Sequence, residues 1–72
     1  MPTIDMEATG KNIKIVMDRA GKTAKDMRDA CGFTTCNAIY KWLNGTSLPT
    51  IDNLVIIAFV CGTTMDEIVV LR

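Results

Sequence analysis

The sequence predicts an all-α domain, a compact bundle of five short helices, and three observations support this fold class. Four glycines stand where a helical pattern ends, a hydroxyl residue precedes each following segment, and the apolar residues in between recur at helical spacing. Glycine closes a helix because it adopts the left-handed conformation readily, and a threonine hydroxyl opens one because it accepts hydrogen bonds from free backbone N–H groups. The glycines are Gly21, Gly32, Gly45 and Gly62, and the hydroxyl residues are Thr23, Thr35, Thr50 and Thr64.

The first two predicted helices span about residues 9–20 and 24–31. Apolar residues of the first recur at i, i+3, i+4 and i+7, which is the spacing of one buried face. The second helix buries Met27 and Cys31, and Thr23 begins a capping-box pattern, Thr-x-x-Asp, at its start. The buried face of the first helix consists of Ile13, Val16, Met17 and Ala20.

The third predicted helix spans about residues 35–44 and follows a three-residue turn, 32–34. Its buried face is formed by Ile39, Trp42 and Leu43, and its opposite face is polar or weakly polar. Two short helices joined by a tight turn, with a polar face on the second, are typical of the helix-turn-helix arrangement that enters the major groove of DNA. The polar face carries Cys36, Asn37, Tyr40 and Lys41.

The fourth predicted helix spans about residues 51–61 and is apolar all round, because residues 54–60 include no polar side chain. Such a helix is buried on several sides. A 72-residue domain cannot cover it completely, so we predict that part of it faces a second copy of the chain. The fifth helix spans about residues 65–70, where frequent β-branched residues leave a strand as the alternative. The predicted dimer contact comprises Val55, Ile56, Phe59, Val60, Ile68, Val69 and Leu71.

The chain divides into an N-terminal arm, residues 1–8, and a helix-turn-helix domain, residues 9–72. Eight Lys and Arg balance eight Asp and Glu overall, yet residues 10–44 alone carry a net charge of +4. Three cysteines without a histidine favour neither disulfides nor a metal site, and no apolar run approaches the roughly 20 residues that span a membrane. We therefore expect a cytoplasmic protein with no cofactor, no metal, no membrane association and no small-molecule substrate.

Four segments carry a resemblance to a known family. Residues 32–35, 38–45, 48–54 and 64–68, in that order, resemble the phage-repressor-like helix-turn-helix proteins of the Cro/Xre class. The resemblance covers about residues 9–70. It implies a lambda-repressor-like bundle in which the second and third helices form the helix-turn-helix.

The resemblance further implies that the third helix is the recognition helix and that its exposed residues meet base edges. Asparagine pairs bidentately with adenine and lysine donates to guanine O6 and N7, so Asn37 and Lys41 suit this task. Cys36 and Tyr40 suit contact with a thymine methyl group or with a phosphate. The implied phosphate contacts are Thr23, Lys25, Thr34, Thr35, Asn44 and Gly45.

Three features depart from the pattern of that family. Arg28 stands where many members carry a small alanine, and the turn before the third helix is one residue longer than the commonest form. Met17 and Leu43 stand where many members pair an arginine with a glutamate. An apolar pair can replace a buried ion pair at little cost, whereas loss of one partner alone is expensive. The joint change therefore supports the alignment.

From these features we predict a sequence-specific DNA-binding transcriptional regulator of repressor type. It would bind double-stranded DNA as a homodimer, because two half-sites about 34 Å apart supply affinity that one short helix lacks. The alternative is a protein-interaction module or antitoxin-like regulator that keeps the fold without specific DNA readout, which the zero net charge favours. An enzyme is not expected, because the chain has no histidine, no nucleophile with a recognisable base and no Gly-rich phosphate loop.

Overall fold

Five helices follow one another along residues 3–72, the part of the chain that the computed structural model describes. Within that part the only pairing of extended backbone is one isolated antiparallel bridge. The predicted all-α fold class is therefore confirmed. The helices are α1 (Met6–Ala20), α2 (Ala24–Cys31), α3 (Asn37–Asn44), α4 (Ile51–Cys61) and α5 (Met65–Ile68).

The helix boundaries follow the predicted punctuation at most ends. The four glycines predicted to close α1 to α4 all have positive φ, between 67° and 75°. At the N-termini of α2 and α4, the Thr23 hydroxyl accepts a hydrogen bond from the backbone N–H of Asp26, and the Thr50 hydroxyl accepts one from that of Asn53.

The start of α5 differs, because the Thr64 side chain makes no capping hydrogen bond. The Glu67 carboxylate instead accepts a hydrogen bond from the Thr63 hydroxyl.

Helix α1 begins at Met6, earlier than the predicted start near residue 9. Asp5 is the reason, because its carboxylate accepts a hydrogen bond of 3.0 Å from the backbone N–H of Ala8 and so caps the extra turn. Part of the segment predicted as an N-terminal arm is therefore helical. The first two residues of that arm lie outside the described part of the chain.

Gly10 lies inside α1, where α1 crosses the end of α3. A Cβ atom placed on Gly10 would lie 2.2 Å from the carbonyl oxygen of Trp42 and 3.2 Å from that of Leu43. Only a residue without a side chain permits this approach of the two backbones. Gly10 therefore determines how closely α1 supports α3.

The core draws on all five helices. Ile39, Met27, Ile57 and Ile68 have no exposed surface, and Trp42 retains 4%. Leu43 and Cys31, both predicted as core residues, are half-buried and pack at its edge. The full set of buried apolar residues is Ile13, Val16, Met17, Met27, Ile39, Trp42, Ile57, Ala58, Cys61 and Ile68.

Helix α3 begins later than predicted, at Asn37 rather than at residue 35. Cys36 occupies the N-cap position with φ −88° and ψ 6°, and the Thr35 hydroxyl accepts a hydrogen bond of 3.4 Å from the backbone N–H of Asn37. The connection between α2 and α3 is therefore residues 32–36, longer than the predicted turn. Thr35, predicted to be the N-cap, therefore lies one residue before it, and its hydroxyl accepts a hydrogen bond from the first backbone N–H of the helix.

The C-terminal residues return along the start of the chain. Helix α5 ends at Ile68, short of the predicted residue 70, so this segment is a helix and not the alternative strand, and Val69 beyond it is extended. Ile4 and Leu71 form the isolated bridge, flanked by hydrogen bonds of 2.8 Å and 2.7 Å. The buried hydroxyl of Thr9 also accepts a hydrogen bond from the backbone N–H of Val70, so the tail is held against α1.

None of the helices in the described residues is long and apolar enough to cross a membrane. The same residues contain no cluster of three metal-ligating side chains. All three cysteines are free thiols, and burial raises the pKa of Cys31 and of Cys61.

Candidate nucleic-acid interface

Helix α3 has two faces of opposite character. Ile39 and Trp42 face the core, and Asn37, Tyr40 and Lys41 are exposed, with 54% of the Tyr40 surface accessible. Positions i, i+3 and i+4 of a helix lie on one face. The three exposed side chains therefore form a single ridge on the outside of the molecule.

The fourth residue predicted for base contact lies at the edge of this ridge. Cys36 is half-buried at the N-cap position of α3, so its thiol is less accessible than the amide of Asn37. The structure therefore groups three of the four predicted base-contact residues on one exposed face and places Cys36 beside them.

The turn before α3 is locked onto the helix by an aromatic contact. The rings of Phe33 and Trp42 lie 5.8 Å apart between centroids, at an interplanar angle of 62°. Edge-to-face pairs of this kind are stabilising beyond the area they bury, by roughly 1 kcal/mol. Phe33 also anchors a longer connection than the sequence predicted, so the additional residues do not loosen α3.

A groove of about 460 Å³ runs beside the exposed ridge. Its walls include Thr34 and Thr35 from the turn and Asn37 and Lys41 from α3. Ser47, from the loop after α3, completes the groove and was not among the predicted site residues. The signal that could have found it is its position, a hydroxyl close behind the glycine that closes α3.

The N-terminus of α2 carries two of the predicted phosphate contacts. Thr23 and Lys25 are both exposed. The Asp26 carboxylate accepts a hydrogen bond of 2.9 Å from the backbone N–H of Thr23, and bonds from Thr23 hold the pKa of that carboxyl below its ordinary value. The carboxylate of Asp26 thus lies beside Thr23, and Lys22 and Lys25 supply positive charge close to it.

The loop after α3 needs a correction at Gly45. Its backbone N–H already donates to carbonyl oxygens of Lys41 and Trp42, so it has no hydrogen to offer a phosphate. A Cβ atom on Gly45 would lie 2.7 Å from the Cα of Glu7, and its φ is 75°. Gly45 is therefore a packing and turn residue. Asn44, next to it, is exposed and keeps its side chain free for the predicted contact.

The residues predicted for dimer contact are divided between surface and core. Phe59 is 85% exposed, Leu71 63% and Val55 49%. Ile56, Val60 and Val69 are half-buried. Ile68 is completely buried within the monomer, so its prediction as a dimer contact is wrong. Ile51, which begins α4 and was not among the predicted residues, is exposed by 75%.

The departures from the family pattern have clear structural outcomes. Met17 is buried and Leu43 packs against the same core, so both positions that differ from the family pattern contribute apolar packing. The Arg28 guanidinium donates to the Asp29 carboxylate at 2.9 Å and 3.1 Å, which keeps it at the surface.

Comparison with known proteins gives a consistent result. The family model for helix-turn-helix proteins of the Cro/C1 type matches residues 13–68, most of the chain. The crystal structure of the DNA-binding domain of BldD is similar in fold, with a TM-score of 0.73 at 12% sequence identity, over 92% of this chain and 94% of that one. No curated protein sequence matches the chain. The resemblance inferred from the sequence is confirmed, and the chain belongs to the Cro/C1-type helix-turn-helix family.

Proposed function

We propose that this chain is a sequence-specific DNA-binding transcriptional regulator of repressor type, and that α3 enters the major groove. One observation carries the proposal: Asn37, Tyr40 and Lys41 stand together on the outer face of α3, while Ile39 and Trp42 hold the helix from beneath. Membership of the helix-turn-helix family supports it, as does the fold shared with a domain named as DNA-binding.

The chemistry of the exposed ridge suits base recognition. Asn37 and Lys41 lie one helical turn apart, about 6 Å along the axis, which spans roughly two base pairs. The Asn37 amide can pair with adenine N6 and N7, and the Lys41 ammonium can donate to guanine O6 and N7. Tyr40 and Cys36, on the other side of the ridge, would contact a thymine methyl group or the backbone.

Phosphate contacts would flank the ridge on both sides. Thr34 and Thr35 line the groove beside α3, and Lys25 projects from α2. Asn44 and Thr23 complete the predicted set without Gly45, and Ser47 joins it because it faces the same groove. Contacts of this kind set the register of the protein on DNA, whereas the ridge specifies the sequence.

A homodimer on a two-fold operator is part of the proposal. The domain measures 35 × 22 × 19 Å, so two copies side by side can present their α3 helices about one turn of DNA apart, roughly 34 Å. Bound in this way the dimer would repress by covering the operator. A cytoplasmic location goes with this role.

Selection of bound sequences from random duplexes tests the proposal. At about 50 mM salt we expect enrichment of a short two-fold site and a steep loss of binding towards about 200 mM, because phosphate contacts release counterions. Recovery of no preferred sequence, with little salt dependence, would contradict it. That result would favour the alternative, a protein-interaction or antitoxin-like module, which the zero net charge still supports.

A further inference from the structure

The groove beside α3 has a polar rim and a partly apolar floor. Four of its lining residues are exposed, and all four are polar. Three are half-buried and therefore lie deeper, and two of these are apolar, Phe33 and Ala38, which we call the apolar floor. A base edge that enters the groove passes polar groups first and then meets carbon atoms. The exposed lining residues are Thr34, Thr35, Asn37 and Lys41, and the third half-buried one is Ser47.

The apolar floor is held rigidly. Ala38 has no side-chain torsion that could turn its methyl group away, and both floor residues pack against the hydrophobic core. Phe33 also forms the edge-to-face pair with Trp42, of which only 4% is exposed. A surface that is already ordered loses little conformational entropy when a ligand touches it, so most of the free energy of apolar contact is retained. The floor is therefore suited to binding a small apolar group.

The floor lies within the stretch of α3 that is proposed to read bases. Ala38 follows Asn37 directly and precedes Lys41 by three residues, and all three line the groove. Because Asn37 and Lys41 span about 6 Å along the helix axis, roughly two base pairs, the floor faces the same short step of DNA. The C5 methyl group of thymine is the one apolar group among the features that base pairs present in the major groove. A pyrimidine methyl group is thus the group that the floor would contact.

Ser47, the third half-buried residue of the groove, does not distinguish thymine from cytosine. A serine hydroxyl both donates and accepts hydrogen bonds, so it can donate to thymine O4 or accept from the N4 amino group of cytosine. 5-Methylcytosine carries its methyl group at the same ring position as thymine. The chemistry of the groove therefore favours the methyl group rather than one of the two pyrimidines.

We propose that the apolar floor binds the C5 methyl group of a pyrimidine, either thymine or 5-methylcytosine, in the DNA step that Asn37 and Lys41 flank. The inference rests on the proposed function, because the groove beside α3 must face the major groove of DNA. It adds a methyl-binding surface to the thymine contact suggested for Cys36 and Tyr40, neither of which lines this groove. Affinity then depends on cytosine methylation at one position as well as on sequence.

Four duplexes that differ at one base pair test the methyl contact. Each thymine in one half-site of the selected duplex is replaced in turn by 2′-deoxyuridine, 5-methylcytosine or cytosine, with guanine opposite the two cytosines, and binding is measured by fluorescence anisotropy. At the position that faces the floor, loss of the methyl group should raise the dissociation constant about fourfold, both from thymine to uracil and from 5-methylcytosine to cytosine. The two factors should be equal because the same methyl group is lost.

Ala38→Ser tests whether this methyl group lies on the floor. The substitution makes the contact surface polar with little change in volume, so both factors should fall below about twofold. Ala30→Ser is the matched control, since Ala30 is exposed on α2 and does not line the groove, and both factors should stay at about fourfold. Thermal melting shows whether each variant folds, and the wild-type comparison decides the inference if Ala38→Ser does not.

A selected duplex in which no thymine shows the methyl factor would overturn the inference and leave the proposed function standing. A factor that persists in Ala38→Ser would assign the methyl group to another contact, such as Tyr40, and would also overturn it. So would a factor seen with thymine but absent with 5-methylcytosine, because the recognised group would then include O4. Recovery of no preferred duplex would end both claims, so the two failures are distinguishable.

Discussion

Helices α3 and α4 both turn one face outward, and the two outer faces differ in chemistry. The face of α3 presents an amide, a phenol and an ammonium group, whereas that of α4 presents the apolar side chains of Ile51, Val55 and Phe59. Each is held by a buried face that includes a fully covered isoleucine, Ile39 in α3 and Ile57 in α4. The chemistry outside therefore separates the surface proposed for DNA from the surface proposed for a second copy.

The comparison also explains how a chain of zero net charge can suit DNA. Positive charge is concentrated between residues 10 and 44, the part that holds α1, α2 and α3, and α4 carries a single acidic residue. The net charge of the chain is a sum over all its residues, so it describes neither the outer face of α3 nor that of α4. Local charge is the relevant quantity, because exposed charges are screened beyond about 10 Å.

The largest expected effect comes from removing the support of α3. Gly10→Ala should lower the free energy of unfolding by about 3 kcal/mol, because the new Cβ meets a backbone oxygen that cannot move without displacing α3. Gly21→Ala, at the end of the same helix, is the control. Nothing lies near its Cβ, so only the left-handed conformation is penalised, by about 1 kcal/mol. Urea unfolding curves give both values, and equal losses would show that the close crossing of α1 and α3 is unimportant.

The next effect concerns the outer face of α4. Phe59→Ala should raise the dissociation constant of the dimer about thirtyfold, because buried aromatic anchors dominate such interfaces. The stability of the monomer should change by less than about 0.5 kcal/mol, since the side chain is 85% exposed. Ile15→Ala on α1 is the matched control. Analytical ultracentrifugation and thermal melting separate the two quantities, and a destabilised monomer with an unchanged dimer would contradict the assignment.

A smaller effect is expected on the outer face of α3. Asn37→Ala should reduce discrimination at one base position about tenfold, because it removes a bidentate pair with a base edge. Lys25→Ala should instead weaken binding to all sequences alike and lower the salt dependence by about one phosphate contact. Competition binding against single-base variants of the selected site measures both. A uniform loss on Asn37→Ala would mean that this residue contacts the backbone rather than a base.

The smallest expected effect is a pH dependence at the start of α2. The capping box holds the pKa of Asp26 below its ordinary value of 3.8, so this carboxylate stabilises the fold above that pH and loses its contribution as the pH falls through the lowered pKa. Asp26→Asn should therefore flatten the loss of stability between about pH 5 and pH 2. The carboxyl is fully exposed, so the difference will be slight. Melting curves across this range that stay parallel for the two proteins would contradict the coupling.

The sequence located the helices where local chemistry decides them. The four closing glycines and the hydroxyls of Thr23 and Thr50 mark helix ends, because they satisfy backbone groups within a few residues. The polar ridge of α3 was predictable for the same reason, since helical spacing alone brings Asn37 and Lys41 together. Three boundaries were missed: the start of α1 at Met6, the start of α3 at Asn37 and the end of α5 at Ile68. The two starts depend on which of several possible cap residues the chain uses, Asp5 for α1 and Cys36 for α3.

Other features depended on contacts between distant parts of the chain. Gly10 serves a backbone crossing with α3, Ser47 reaches the groove from a following loop, and Ile68 is buried rather than exposed. No local pattern reveals these roles. The backbone N–H of Gly45 also donates to carbonyl oxygens at the C-terminus of α3. This hydrogen bonding is visible only in the folded structure.

By itself, the sequence determined the all-α class, the order of the helices and the outer face of α3, because hydrogen bonds and periodicity act over a few residues. Tertiary packing alone decided which apolar side chains of α4 and α5 are covered, how closely α1 supports α3, and where a cavity remains beside Ile51. The physical reason is that burial depends on the whole domain. The sequence of a helix that is apolar on all sides does not indicate which side packs against the other helices.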